Sequence, residues 1–169
     1  GNTNREGATA AGLSVALAAG ALAIQLDQIQ CYPYTSPDEE SFGVAATWIE
    51  AESAYAPTID PTTGKRFVNE LTDRKKFSDA MFSVGQPLLQ IGSVDNVPDW
   101  CSESLNAALE AGVTREFDSL EAIADEFGVP LDGLQEQMDS YNACIEAGED
   151  TEFGKLLNDD SKPVVTAPY

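Results

Sequence analysis

Apolar residues fall at two different spacings along this chain, short extended runs coming first and helical repeats dominating the second half. Gly1 to Thr9 is polar and reads as a loop. Leu13, Ala16, Leu17, Gly20 and Ile24 then recur at helical spacing, which predicts a tightly packed, buried helix from about Gly12 to Ala19, stopped near Gly20. Ile24, Leu26, Ile29 and Cys31 are the bulky positions of an expected strand over 23–32, bulged at Asp27–Gln28 and ended by Pro33. Val44 to Ile49 reads as a second short strand, leading into an extended segment with Glu50 and Glu52 on one face. Ala56–Ile59 and Lys65–Val68 flank the turn Asp60-Pro61-Thr62-Thr63-Gly64, the pattern of a hairpin. Pro87 to Gly92 predicts a further strand.

Thr72 or Asp73 is placed to cap a helix running through Phe77, Met81 and Phe82 to about Ser83. From Asp95 onward the pattern is helical. Ser102 to Ala111 ends at Gly112, and Asp118 or Ser119 caps a segment closed by Gly128. A longer helix starts at Asp132 and is closed by Gly148. Strands first and helices after predict an α+β domain.

The totals narrow the functional classes. At 169 residues the chain has the size of one ordinary domain, and 43% hydrophobic residues suffice for a core. A formal charge of −20 argues against nucleic acid or an anionic membrane as partner. There is no histidine, which removes Ser-His-Asp and Cys-His arrangements and the commonest metal ligand. Cys31, Cys101 and Cys144 have no metal spacing; their odd number leaves room for one bridge at most, and buried free thiols are the favoured reading. The apolar run from Ala10 to Ile24 is shorter than the about 20 residues a membrane span needs, so no span is expected. Fourteen acids against one base from Glu116 to Asp160 predict a solvated acidic face on the late helices.

Five of the nine basic residues fall between Lys65 and Lys76 against two acids, so that window is +3 while the rest of the chain is −23. Such an island is either a basic loop balancing acidic neighbours, favoured on charge alone, or a site for a small anion. The residues around Arg74 make the second reading concrete. Arg74 stands where a loop meets a helix start, so its guanidinium and backbone N–H groups can converge on one carboxylate. Thr72, Glu50, Glu52 and the loop Tyr32-Pro33-Tyr34-Thr35-Ser36 complete the candidate group.

The stretch Gly64-Lys65-Arg66-Phe67-Val68-Asn69-Glu70-Leu71-Thr72-Asp73-Arg74 resembles the G-x-R-F-x-N-E-x-T-x-R segment of the fumarate reductase/succinate dehydrogenase flavoprotein family, the flavocytochrome c branch most closely. Ala8-Thr9-Ala10-Ala11-Gly12 resembles the family's A-T-G-D-G segment, and Gln28-Ile29-Gln30-Cys31-Tyr32-Pro33 its Q-x-H-P strand end. Asp118-Ser119-Leu120, Tyr141-Asn142 and Gly148-Glu149-Asp150-Thr151-Glu152-Phe153-Gly154 resemble its D-S-L, Y-N and G-x-D-x-D-F run.

The resemblance implies an FAD-dependent oxidoreductase of the fumarate reductase type. In that fold a substrate-capping (catalytic) domain closes an unsaturated substrate against a flavin. It implies that residues 1–27 are the edge of the FAD-binding domain and 28–169 the capping domain. Arg74 would be the proton donor and Glu50 its relay, with Tyr32, Thr72 and Glu52 toward substrate and Thr9, Ala10, Ala11 and Gly12 toward the cofactor. The substrate would be a small activated alkene: fumarate-like, another unsaturated carboxylate, or an enone. Tyr32 stands where the family has a substrate-binding histidine, Ala11 where it has an acid, and Glu52 or Ser53 where it has a basic relay residue; these departures weigh against fumarate itself. FAD is expected in a longer parent chain and not in this segment, which alone would be inactive. The rest of the FAD domain and an electron-donating haem or flavin partner are the implied partners. The alternative is a non-catalytic binding or structural module that retains the scaffold.

Overall fold

The computed structural model describes residues 7–39, 44–85 and 87–169, with the backbone alone for 44–47. Residues 1–6 of the expected N-terminal loop lie outside the described residues. The helices are α1 (Ala11–Ala18), α2 (Val44–Glu52), α3 (Arg74–Val84), α4 (Ser102–Glu110), α5 (Leu120–Phe127) and α6 (Leu131–Ala147); a 3₁₀ turn at Asp99–Cys101 leads into α4. The strands β1 (Thr58–Asp60), β2 (Lys65–Arg66) and β3 (Leu89–Gln90) form an antiparallel sheet in the order β2-β1-β3. The expected mixture of helices and short strands is therefore what the chain builds.

The sheet is small, and its register is fixed at both ends. Ile59 pairs with Arg66 on one side and Leu89 on the other. Its side chain is buried with Ile91, Ile123, Leu134, Met138, Tyr141 and Val164, so the sheet closes over α5 and α6. Both Thr58 and Ile59 of β1 are buried, so this central strand is covered on both faces. A second cluster packs Trp48 of α2 against Cys101 and Ala108 at the start and along α4.

The hairpin turn seats on the start of α6 by close backbone approach. Gly64 has φ 72°, and a Cβ there would stand 2.5 Å from the Leu134 nitrogen. Glycine alone combines that left-handed backbone with that contact. Helix ends follow the expected chemistry: Asp73 caps α3 by accepting from Lys76 N at 3.0 Å, and Ser119 caps α5 by accepting from Ala122 N at 3.2 Å.

Three sequence expectations are corrected. The segment from Ala23 to Tyr32 forms no strand: among the described residues no strand lies beside it, and Ile29 is 87% exposed. A strand exists only with a neighbour to take its N–H and C=O groups. Helix α1 forms, yet it is not core; every residue from 7 to 30 is exposed, Val15 at 70%. The stretch from Val44 is a helix rather than a strand. Its β-branched residues suggested extension, but Trp48 and Glu52, one helical turn apart, are the two that turn inward. All three cysteines are free, with Cys101 and Cys144 buried and Cys31 half-buried.

Candidate active site

Arg66 and Glu70 lie four residues apart where β2 leaves the hairpin, and both side chains are fully buried. The Arg66 guanidinium donates from Nε and Nη2 to the two Glu70 oxygens at 3.0 and 2.9 Å. It also donates from Nη1 and Nη2 to the Asp150 oxygens at 3.2 and 2.9 Å. Lys155 is buried beside them, 3.5 Å from Glu70, and donates to the Ala56 carbonyl at 3.0 Å. Arg66 Nη1 also donates to Glu152 Oε2 at 3.4 Å, so two cations face three carboxylates and every forked donor of the arginine is matched, which is what a buried ion network requires. Burial raises the Asp150 carboxyl, but the Arg66 bonds and the Lys155 backbone N–H outweigh it and hold the group at about 2. Burial lowers Lys155 to about 8. Asn69 donates to the carbonyls of Phe153 and Gly154 at 3.2 and 2.9 Å. Most of the basic motif is therefore a clamp between the hairpin and the 150–155 loop, and it aims the chain from Leu71 into α3.

Arg74 is the first residue of α3. Its Nη2 donates to Glu50 Oε1 at 2.8 Å, and the Tyr32 hydroxyl donates to Glu50 Oε2 at 2.6 Å. The guanidinium lies 5.0 Å from the centre of the Tyr32 ring. Tyr32 is held in turn by Tyr34, edge-on at 5.3 Å, and the Tyr34 ring packs on Phe77 of α3 at 5.8 Å. The loop 32–36 is thereby fixed to the helix that carries Arg74.

The arrangement has defined electrostatics. Arg74 and Glu50 each keep 44% of their side-chain surface exposed, so a ligand can reach them. The Tyr32 hydrogen bond, helped by Arg74 against the cost of burial, lowers the Glu50 carboxyl below its ordinary value. Burial, then the bond to Glu50, pushes Tyr32 up to about 12. The bond to Glu50 also raises Arg74. At neutral pH Glu50 is a carboxylate bridging two proton donors, and Tyr32 is an orienting hydroxyl rather than an acid.

Of the residues expected at the site, Arg74, Glu50 and Tyr32 are brought together. Thr72 sits in the turn just before α3, half-buried, its N–H given to Asn69 O at 3.2 Å. Glu52 is not with them. The expectation that Glu50 and Glu52 share a face assumed an extended segment; on a helix a two-residue step turns about 200°. Glu52 therefore points inward while Glu50 points to Arg74. Thr9, Ala10, Ala11 and Gly12 are all exposed at the start of α1, where Ala10 holds φ 57°. The first turn of a helix leaves its N–H groups without intrahelical partners.

The positive island is not free charge. Lys65 pairs with Glu136, Lys75 with Asp79 and Lys76 with Asp73, alongside the partners of Arg66 and Arg74. Sequence reasoning missed Asp150 and Lys155 as partners of the motif; the four-residue spacing of Arg66 and Glu70 was the available signal. Among the described residues no group of three or more Cys, Asp or Glu is disposed to hold a metal ion, and no helix is long and apolar enough to cross a membrane.

Comparison with known proteins places this chain among flavoproteins. A family model described as an FAD binding domain matches residues 2–169. The chain is 34% identical over 173 residues to an acrylate reductase flavoprotein subunit of Shewanella woodyi, covering 100% of this chain and 34% of that protein. It is 32% identical over 152 residues to a cytochrome-type fumarate reductase of Shewanella frigidimarina, covering 90% of this chain and 26% of that protein. Among solved structures, the open conformation of a flavocytochrome c3 fumarate reductase matches with a TM-score of 0.65 at 23% identity, over 99% of this chain and 28% of that one. That likeness speaks for the fold. The chain spans about a third, or less, of the length of these proteins.

Proposed function

The chain belongs to the FAD binding domain family, and from that premise we propose that it is the substrate-capping segment of an FAD-dependent oxidoreductase that reduces an activated C=C bond. The observation that carries this reading is the triad in which Glu50 bridges Arg74 and Tyr32 at 2.8 and 2.6 Å. Residues 28–169 form the cap and 1–27 the edge of the flavin domain; burial begins at Cys31, and residues 7–30 expose an apolar helix ready for cover. Thr9, Ala10, Ala11 and Gly12 fit a flavin contact through their backbone. The N–H groups that open α1 are exposed, and nothing stands within 4 Å of a Cβ built on Gly12. FAD, when bound, would supply the hydride.

This chain's own residues handle the proton and the carboxylate. Arg74 gives a proton to the alkene carbon, and Glu50, already on Nη2, returns one from solvent. An arginine normally keeps its proton, so the exchange depends on a carboxylate held in contact, as Glu50 is. Tyr32 fixes that carboxylate and lies under the guanidinium. Thr72, beside the start of α3, is the neutral donor toward substrate. Glu52 takes no part in this scheme. The Tyr32 hydroxyl already donates its one proton to Glu50, which leaves one anchor fewer for a second carboxylate. We therefore favour an unsaturated monocarboxylate such as acrylate over fumarate; the acrylate reductase relative supports the same choice. A haem or flavin donor would re-reduce the cofactor.

The test uses the intact, flavin-loaded protein with reduced methyl viologen as electron donor. Acrylate is expected to be turned over faster than fumarate. Arg74→Ala is expected to cost about 10³-fold in turnover, within the span of general acid catalysis, while the flavin absorption spectrum is kept. Retained turnover would exclude Arg74 as the acid. Tyr32 and Ala11 replace functional residue types, so a second reading is a non-catalytic module; an intact protein that binds no flavin would favour it.

A further inference from the structure

The inner side of α2 borders a space the proposed reaction does not use. A cavity of about 630 Å³ is lined by Trp48, Glu52, Phe77, Leu89, Ile91 and Leu105, among others, while Arg74, Glu50 and Tyr32 take no part in its wall. Its size falls in the range of ordinary small-molecule sites, roughly 300–1,000 Å³. It lies where the two hydrophobic clusters meet, with Trp48 from one and Ile91 from the other.

Among the polar groups of that wall, one is a buried acid. Glu52 keeps only 9% of its surface, and while its backbone carbonyl accepts from Tyr55 N and Ala56 N, its carboxyl has no hydrogen bond to a described residue. Gly92 leaves it room: a Cβ there would come within 2.8 Å of Glu52 Oε1. A buried carboxyl without a hydrogen-bonding protein partner is costly, on the order of several kcal/mol. We propose that this cavity is a binding site for an uncharged, mainly apolar small molecule that presents a hydrogen-bond acceptor, such as a carbonyl oxygen, to the Glu52 carboxyl.

The chemistry of the walls selects that class. Burial raises Glu52 to about 8 against the weaker pull of Lys155, so at pH 7 it is an O–H donor. Aromatic and aliphatic side chains supply much of the contact surface, and the Trp48 indole N–H and the Thr58 and Ser93 hydroxyls, buried without a hydrogen bond among the described residues, are further donors in the lining. Asp38 and Glu116 also line the space, and Arg115, the cation in the lining, is paired with Glu126 at 3.0 Å. An anion gains nothing there. The site therefore differs in kind from the one at Arg74, which is built for a carboxylate.

The experiment is calorimetric titration of the intact, flavin-loaded protein at pH 7 with acetophenone and with benzoate, similar in size and unlike in charge. Acetophenone is expected to bind one site saturably and benzoate at least about tenfold more weakly, and saturating acrylate should leave the acetophenone isotherm unchanged. Glu52→Gln, which still donates, should hold affinity within about threefold. Glu52→Leu should lose about tenfold or more, corresponding to one hydrogen bond to the ligand. Should Glu52→Leu fail to fold, Leu105→Trp fills the space and keeps the carboxyl; it must abolish binding. Equal affinity for benzoate, competition by acrylate, unchanged binding in Leu105→Trp or Glu52→Leu, or no saturable acetophenone heat with folded protein would each overturn the proposal. Loss of acrylate turnover in any variant bears on the Arg74 scheme instead.

Discussion

Glu50 and Glu52 stand two residues apart on α2 and serve opposite sides of it. Glu50 meets Arg74 at 2.8 Å in the open, and Glu52 is buried in the wall of a cavity. Helical geometry alone makes this division, since a step of two residues carries a side chain about 200° round the axis. One carboxylate is thereby kept ionised by its partners and the other neutral by its burial.

The first prediction separates the two parts of Tyr32. Tyr32→Phe keeps the ring under the Arg74 guanidinium and removes the hydroxyl that does most to lower Glu50. Glu50 then titrates at higher pH. A carboxylate must be ionised to exchange protons with Arg74, so the acid limb of the rate profile should move upward, with turnover at neutral pH down about tenfold or less. A pH–rate profile on the intact, flavin-loaded enzyme reads this directly. An acid limb that stays in place would separate Tyr32 from the reaction.

The second concerns pH and stability. Glu52 holds its proton up to about 8 when folded, against an ordinary value of 4.5. Between those values the folded state binds the extra proton, so stability falls as pH rises through that window. The slope is on the order of 1 kcal/mol per pH unit at most. Lys155, lowered by burial to about 8, acts in the next window and with opposite sign: stability rises above pH 8 as the unfolded lysine keeps the proton that the folded one gives up. Urea unfolding from pH 5 to 10 should therefore show a minimum near pH 8. Glu52→Gln should flatten the acidic side of it and leave the alkaline side; a curve identical to the parent would refute the assignment.

Much of this was legible in the sequence, and the remainder was hidden for physical reasons. The caps at Asp73 and Ser119 and the hairpin around Gly64 depend on local chemistry, which a chain displays residue by residue. Arg74 and Glu50 were named as partners and stand at 2.8 Å. What failed were readings that depend on neighbours. Among the described residues, the 23–32 stretch has the alternation of a strand but no strand beside it, and α1 has the composition of a core helix but nothing over it. Val44 to Glu52 failed for another reason, since β-branched residues mark a half-buried surface rather than dictate extension. The mistake then displaced Glu52 by half a turn. The pairing of Asp150 with Arg66 and of Lys155 with Glu70 is not legible in the sequence because each spans more than eighty positions of the chain.

The third prediction tests the seat of the hairpin. Gly64→Ala places a Cβ 2.5 Å from the Leu134 nitrogen on a backbone already left-handed. The conformational cost is roughly 1–2 kcal/mol, and the clash with helix backbone adds roughly 1–3 kcal/mol because neither side is a flexible chain end. The urea midpoint should drop accordingly. A loss below about 1 kcal/mol would mean that the turn can lift away from α6.

The last prediction concerns the clamp of Arg66. Its guanidinium is shared by Glu70 and Asp150, all three with fully buried side chains, and Lys155 stands 3.5 Å from Glu70. Glu70→Gln keeps the shape but leaves two buried cations with Asp150 as their one fully buried carboxylate and Glu152, partly exposed, at 3.4 Å from Arg66. Breaking a buried pair in this way costs about 3–5 kcal/mol, and Asp150→Asn should cost a similar amount. Because both carboxylates hold the same guanidinium, the double variant should lose less than the two single losses added together. Asp150 also sets an acid signature. Its folded value of about 2 lies below the ordinary 3.8, so its contribution is complete above about pH 4 and disappears as pH falls toward 2. Acid unfolding of Asp150→Asn should be flatter over that window than that of the parent. Strictly additive losses, or parallel acid unfolding curves, would show that Arg66 does not tie these two carboxylates into one unit.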